Sequence, residues 1–120
     1  MGSGTWTIQY SGQSWDLATT TGLTFNRGTS TISMTSTGSK IFAGGGLTYY
    51  KLNQGGTGML TLTGANTFFD MTNTVQPCTI AFPASTTTSF SNFNVDGTAG
   101  NLVSLRSSTT GTRYTLAKVA

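Results

Sequence analysis

The sequence predicts an all-β fold, a short solenoid of stacked coils about 20–25 residues long. Three observations predict it. Short runs alternate apolar residues with Thr or Ser, clusters rich in Gly, Asn and Asp separate the runs, and apolar residues recur at a step of 20. Composition agrees. Of 120 residues, 26 are Thr, 13 are Ser and 16 are Gly, while only 8% are charged. Thr is β-branched and suits the pleated surface of a sheet. So few charges leave no periodic Glu, Lys or Arg stripe of the kind a helical bundle or coiled coil carries.

The strand runs follow in chain order. Trp6-Thr7-Ile8-Gln9-Tyr10 alternates as a half-buried strand does. Leu23-Thr24-Phe25, Ile32-Ser33-Met34, Leu47-Thr48-Tyr49 and Leu60-Thr61-Leu62-Thr63 repeat the pattern, and Ile80-Ala81-Phe82, Phe93-Asn94-Val95 and Tyr114-Thr115-Leu116 continue it. Turn chemistry lies between them at Asn26-Arg27-Gly28, Gly44-Gly45-Gly46, Gly55-Gly56, Gly64-Ala65-Asn66, Asp96-Gly97 and Gly100-Asn101. Asp96-Gly97 fits a tight hairpin or a corner between solenoid strands. No stretch keeps a 3.6-residue period, so helix is limited to a short turn near Ser14-Trp15-Asp16-Leu17.

At least eight short strands permit a sandwich, a barrel or a solenoid. The step of 20 decides. Phe42, Leu62, Phe82 and Leu102 keep it, and Leu60 and Ile80 keep it two residues earlier. These six are the expected interior ladder, in which each coil buries its inward face on the next. A β-sandwich is the alternative. Residues 1–4 read as a tag or flexible terminus, and residues 5–120 as one domain.

The residue inventory removes much chemistry. With no His and no Glu, a Ser-His-Asp triad and imidazole metal sites are ruled out. Asp16, Asp70 and Asp96 are the acidic residues. Asp70 and Asp96, near one coil apart, are the one pair that a glycoside-cleaving enzyme could use. Three carboxylates are too few for a calcium site. The Gly runs lack the Lys-Ser/Thr of a phosphate loop. No catalytic residue, metal or cofactor is expected. Cys78 stands alone, so no intrachain disulfide forms, and it reads as a small buried hydrophobe.

The net charge is +3, yet Arg27, Lys40, Lys51, Arg106, Arg113 and Lys118 are scattered. Nucleic-acid binders gather such residues on one stripe, so no nucleic-acid partner is expected. No run approaches the ~18 apolar residues of a membrane helix, so no membrane insertion is expected. Sugar binding is the strongest site reading. Trp15, Tyr49, Tyr50 and Tyr114 offer flat rings beside Asn and Thr, and adjacent Tyr49 and Tyr50 must face opposite sides of a strand. An ice-binding face needs Thr-x-Thr at one place on every coil, and the pairs at 29/31, 35/37, 61/63, 72/74 and 86/88 hold no single period.

Residues 93–108, Phe-Asn-Val-Asp-Gly-Thr-Ala-Gly-Asn-Leu-Val-Ser-Leu-Arg-Ser-Ser, resemble a segment that recurs in phage tail-fibre-like and bacterial surface proteins. Its pattern is F-x-x-x-G-T-A-G-N-x-(V/I)-x-L-x-S followed by a strand ending L-S-K. Here Leu116-Ala117-Lys118 fills that last slot with Ala for Ser. Residues 24–32 and 44–52 also fit that family's coils. Residues 56–68 are similar to the strand repeat of autotransporter passenger domains. The resemblance covers about residues 21–118 and implies a right-handed parallel β-helix. Repeat-level likeness bears on fold far more than on function.

The expected function is non-enzymatic. It is a structural module of a virion or cell-surface filament, acting by rigid display and by self-association with identical or other structural subunits. Its location is then the virion or the cell surface. A carbohydrate-binding adhesin module, recognising a surface glycan, is the alternative. A polysaccharide-degrading enzyme or an ice-binding protein ranks below both.

Overall fold

The computed structural model describes residues 1–119, which form eleven strands and no helix. They are β1 (Thr5–Ile8), β2 (Gly12–Asp16), β3 (Thr31–Met34), β4 (Lys40–Ala43), β5 (Thr48–Gln54), β6 (Leu60–Thr63), β7 (Thr67–Asn73), β8 (Cys78–Phe82), β9 (Thr87–Asn94), β10 (Val103–Ser107) and β11 (Thr115–Lys118). The odd-numbered strands form one sheet in the order β1-β3-β5-β7-β9-β11, and the even-numbered strands form a second, β10-β8-β6-β4-β2. All strand pairings among the described residues are parallel. Each coil lends one strand to each sheet, giving a β-solenoid of about five turns. The antiparallel sandwich does not form. Each connection carries the chain across to the other sheet instead of turning it back beside the strand it left.

The register stacks like residues into columns. In the first sheet Trp6, Ile32, Leu52, Met71 and Phe93 lie one above another. Tyr49, Phe68 and Phe90 form an inner aromatic column, with ring centroids 5.6 Å and 5.8 Å apart. Such offset rings add to what their buried area contributes. In the second sheet Gly12, Lys40, Leu60, Ile80 and Leu105 align. Phe42, Leu60, Leu62, Ile80 and Phe82 of the expected ladder are all fully buried.

Leu102 is the exception. It is 70% exposed, precedes β10, and leaves the inner position on the last coil to Leu105. The step is 20 from Lys40 to Leu60 and again to Ile80, but 25 from Ile80 to Leu105. The connection over residues 95–102 takes up the difference. Within it Thr98 and Asn101 exchange main-chain bonds of 2.8 and 3.2 Å around Ala99-Gly100. Gly100 has φ +80°, which favours Gly. The turn therefore falls just after Asp96-Gly97.

Two other local expectations change. Leu23-Thr24-Phe25 is not a strand. It belongs to the long connection 17–30, from which the Phe25 ring packs 5.1 Å from Tyr49. Ser14, Trp15 and Asp16 extend within β2 instead of forming a helical turn. Residues 1–4 lie against residues 26–31. The Met1 amino group donates to Asn26 O at 2.7 Å, and the Gly2 and Gly4 carbonyls accept from Thr29 N and Thr31 N.

Candidate functional site

The outer face of the first sheet carries a compact group of aromatic and charged side chains. Tyr49 and Leu52 both point inward with two residues between them, so Tyr50 and Lys51 both emerge outward. One coil on, Phe68 and Met71 point inward, and Phe69 and Asp70 emerge in the same way. The paired departures bring Tyr50 over Phe69, with centroids 4.9 Å apart and planes 6° from parallel. The Arg27 guanidinium lies over the same Tyr50 ring, 5.4 Å from its centroid, a cation–π contact. Beside this stack Lys51 Nζ is 3.7 Å from Asp70 Oδ2, and Asn94 Nδ2 donates to Asp70 Oδ1 at 2.9 Å. Phe69 remains 41% exposed and offers its free ring to solvent.

The four rings expected to bind sugar do not converge. Tyr50 alone sits in this outer group. Tyr49 is 1% exposed, and its hydroxyl donates to Gly44 O at 2.7 Å. Burial raises its pKa, and the Trp15 hydrogen bond only partly opposes that. Trp15 faces inward too, stacked at 8° on Phe42 and donating Nε1 to the Tyr49 hydroxyl at 3.3 Å. Tyr114 packs 5.3 Å from Phe82 at the far end of the core. Phe69, Arg27 and Asn94 were not among the expected site residues. A signal for Phe69 exists: the doubled aromatics Tyr49-Tyr50 and Phe68-Phe69 recur 19 residues apart, one coil.

A second polar group lies inside the solenoid. Lys40 is fully buried. Its Nζ donates to the carbonyls of Ser36 at 2.9 Å, Gly58 at 2.7 Å and Gly56 at 3.5 Å. Burial lowers its pKa to about 8. Gln54, also fully buried, donates to the Gly58 and Thr79 carbonyls. Cys78 lies buried close by, and its thiol pKa is raised, chiefly by burial. A thiol held protonated in this way is a poor nucleophile. These groups tie coils together and face no opening. Among the described residues no cluster of His, Cys, Asp and Glu is arranged to hold a metal.

The ends of the stack form the third feature. Among the described residues β1 and β2 are the outermost strands at one end of the two sheets, and β11 and β10 at the other. Of the eight exposed large hydrophobic side chains among the described residues, Trp6, Tyr10 and Leu23 lie on the first coil, and Phe93, Leu102, Leu105 and Leu116 lie on the last turns. β9 runs to Asn94, and among the described residues β11 pairs with it as far as Phe90, whose carbonyl also accepts from Val119 N. An open groove of about 460 Å³ follows, lined by residues 90–94 and 116–118.

The described residues form a two-sheet parallel β-solenoid. Comparison of the chain with protein-family models, with curated proteins and with solved structures finds no match.

Proposed function

We propose that the chain is a non-enzymatic structural module of a virion or cell-surface filament, working by rigid display and self-association. One observation carries this reading: parallel strands stack in register into two sheets around one continuous apolar core, a rigid form that repeats along a single axis. Such stacks associate through strand edges and apolar surface wherever these are left uncovered. The likeness of residues 93–118 to tail-fibre-like and surface-protein coils supports the same setting. Sedimentation velocity over a concentration series tests it. Mass-action growth of larger species is expected, and a monomer at every concentration overturns the reading.

The outer stack favours a second reading, a carbohydrate-binding adhesin module. The free face of Phe69 stands beside Asp70 and the exposed Asn92, an apolar surface with polar partners at its margin. Glycan-array binding that Phe69→Ala abolishes supports it, and silence across the array counts against it.

A further inference from the structure

We infer that the outer aromatic column ends in a seat for one neutral sugar ring, stacked on Phe69 at the level of Ser91. This rests on the carbohydrate-binding reading and names the sugar class and the residue that selects it.

The seat arises from a repeat in strand geometry. In β5, β7 and β9 two residues emerge outward together between inward ones, as Tyr50-Lys51, Phe69-Asp70 and Ser91-Asn92. On β9 the inward pair is Phe90 and Phe93, with ring centroids 5.0 Å apart. The register sets Lys51, Asp70 and Asn92 in one column. The residues before them form a second column of Tyr50, Phe69 and Ser91. Tyr50 covers one face of Phe69, at 4.9 Å and 6°. Ser91 carries no ring to cover the other, and Phe69 stays 41% exposed. Strands lie ~4.8 Å apart, so a flat ring laid on Phe69 takes the height of Ser91. Val119 donates its main-chain N–H to Phe90 O at 2.7 Å and so follows Ser91 one rung on. The seat is therefore one ring high and lies within the stack, on its outer face.

The margin of the seat is polar. Ser91 is half-buried, Asn92 is exposed, and Asp70 adjoins Phe69. A wholly apolar ring strips water from these groups and gives nothing back. A pyranose serves both parts of the seat. Its C–H bonds form an apolar face for Phe69, and its hydroxyls project from the rim toward Ser91 and Asn92.

Charge selects among sugars. Asp70, next to Phe69 on β7, stands one rung from Ser91, and Lys51 stands two rungs away. Asp70 Oδ1 accepts from Asn94 at 2.9 Å, while Lys51 Nζ lies 3.7 Å from Oδ2, on the side away from the seat. Lys118 pairs with inward-facing Phe90, so it belongs to the opposite face of the sheet. A sugar carboxylate on Phe69 thus meets the charge of Asp70 before it meets any cation. Neutral hexopyranoses are favoured and uronic acids are not.

Saturation-transfer NMR on the full chain tests the seat, with circular dichroism to confirm that each variant folds. The probes are the methyl glycosides of glucose and galactose, with methyl glucuronide and methyl galacturonide as their acidic counterparts. A neutral glycoside is expected to bind through the ring protons of one face, with a Kd on the order of millimolar for one ring on an open surface. Its acidic counterpart is expected to bind about tenfold more weakly, and Asp70→Asn to bring the two within about threefold. Ser91→Phe sets a third ring on the column and is expected to abolish binding. Asn92→Ala is expected to weaken it about fivefold. Tyr10→Ala, which removes a 70% exposed ring elsewhere, is expected to leave it unchanged. If a glycan array responds but neither neutral glycoside does, or if Ser91→Phe and Asn92→Ala both fold and bind like the parent, the seat is overturned while carbohydrate binding stands. If acidic and neutral sugars bind the parent alike, selection by Asp70 is overturned. If neither the glycosides nor the array responds, the seat and the carbohydrate-binding reading fall together.

Discussion

Lys40 Nζ sits 2.7 Å from the main-chain oxygen of Gly58, one coil further along the stack. A cation thus occupies an inner column otherwise filled by Leu60, Ile80 and Leu105. Its aliphatic stem fills the space a leucine would fill, and its ammonium satisfies carbonyls of two successive turns, at residues 36 and 56–58.

Shortening that side chain is expected to cost more than removing its charge. Lys40→Ala leaves a cavity and orphans the Ser36 and Gly56 carbonyls, for a loss of about 3–4 kcal/mol. Lys40→Met keeps the stem volume and relieves the desolvation of a charge, so its loss is smaller. Urea unfolding of the two variants beside the parent chain checks the order.

The same residue gives stability a pH dependence. The folded pKa of Lys40, about 8, lies below its ordinary 10.5. Between these values the unfolded chain binds more protons, so stability rises with pH there and is lost as pH falls through 8. Cys78 and Tyr49 act in the opposite sense, because burial raises both pKa values above their ordinary 9.0 and 10.0. Stability is therefore expected to climb by about 1 kcal/mol from pH 8 to 9 and then flatten. Lys40→Met should abolish the climb. A parent curve that is flat from pH 7 to 9 contradicts this assignment.

Turns stack as closely as strands do, and glycine permits it. A Cβ on Gly58 would run into the Gly38 carbonyl, and one on Gly56 into the Ser36 carbonyl. At Gly4 a Cβ meets nothing. Gly58→Ala is expected to cost about 2–3 kcal/mol through forced separation of the turns. Gly4→Ala should change stability by less than about 0.5 kcal/mol. Thermal or urea unfolding of the pair distinguishes packing at the turn from the general effect of replacing glycine.

The sequence carried the fold where coils are uniform. Phe42, Leu62 and Phe82 keep a step of 20 because the turns between their strands are short and alike. Leu102 kept the step and still missed the interior, since eight residues separate β9 from β10. Alternation identified β3 and β6 but hid β7, whose Phe68 and Met71 point inward across two outward residues. That departure also concealed the outer stack. Adjacent Tyr49 and Tyr50 were separable by strand geometry. Which ring meets Tyr50 depended on the partner coil, and Phe69 arrives there only through the register. The buried Lys40 could not be read at all, because a lysine between Ser39 and Ile41 reads as a solvated strand end.

Asn66 supplies the sharpest test of how coils are fastened. It is fully buried at the start of a coil. Its Oδ1 accepts from Gly46 N at 3.0 Å, twenty residues back, while its Nδ2 donates to Thr63 O at 3.0 Å. Asn66→Ala removes both bonds and is expected to cost about 1–3 kcal/mol. Asn66→Asp preserves the acceptor for Gly46, but at neutral pH it sets a buried anion against the Thr63 carbonyl. It should therefore be the more damaging change at pH 7. Protonation restores a donor at that position, and burial raises the pH at which this occurs. The gap between Asn66→Asp and the parent is thus expected to narrow as pH falls from 7 to 4, while that of Asn66→Ala stays constant. Chemical unfolding at the two pH values decides it, and equal, pH-independent losses for both variants would show that the Nδ2 bond to Thr63, which holds the side chain in place for Gly46, contributes nothing to stability.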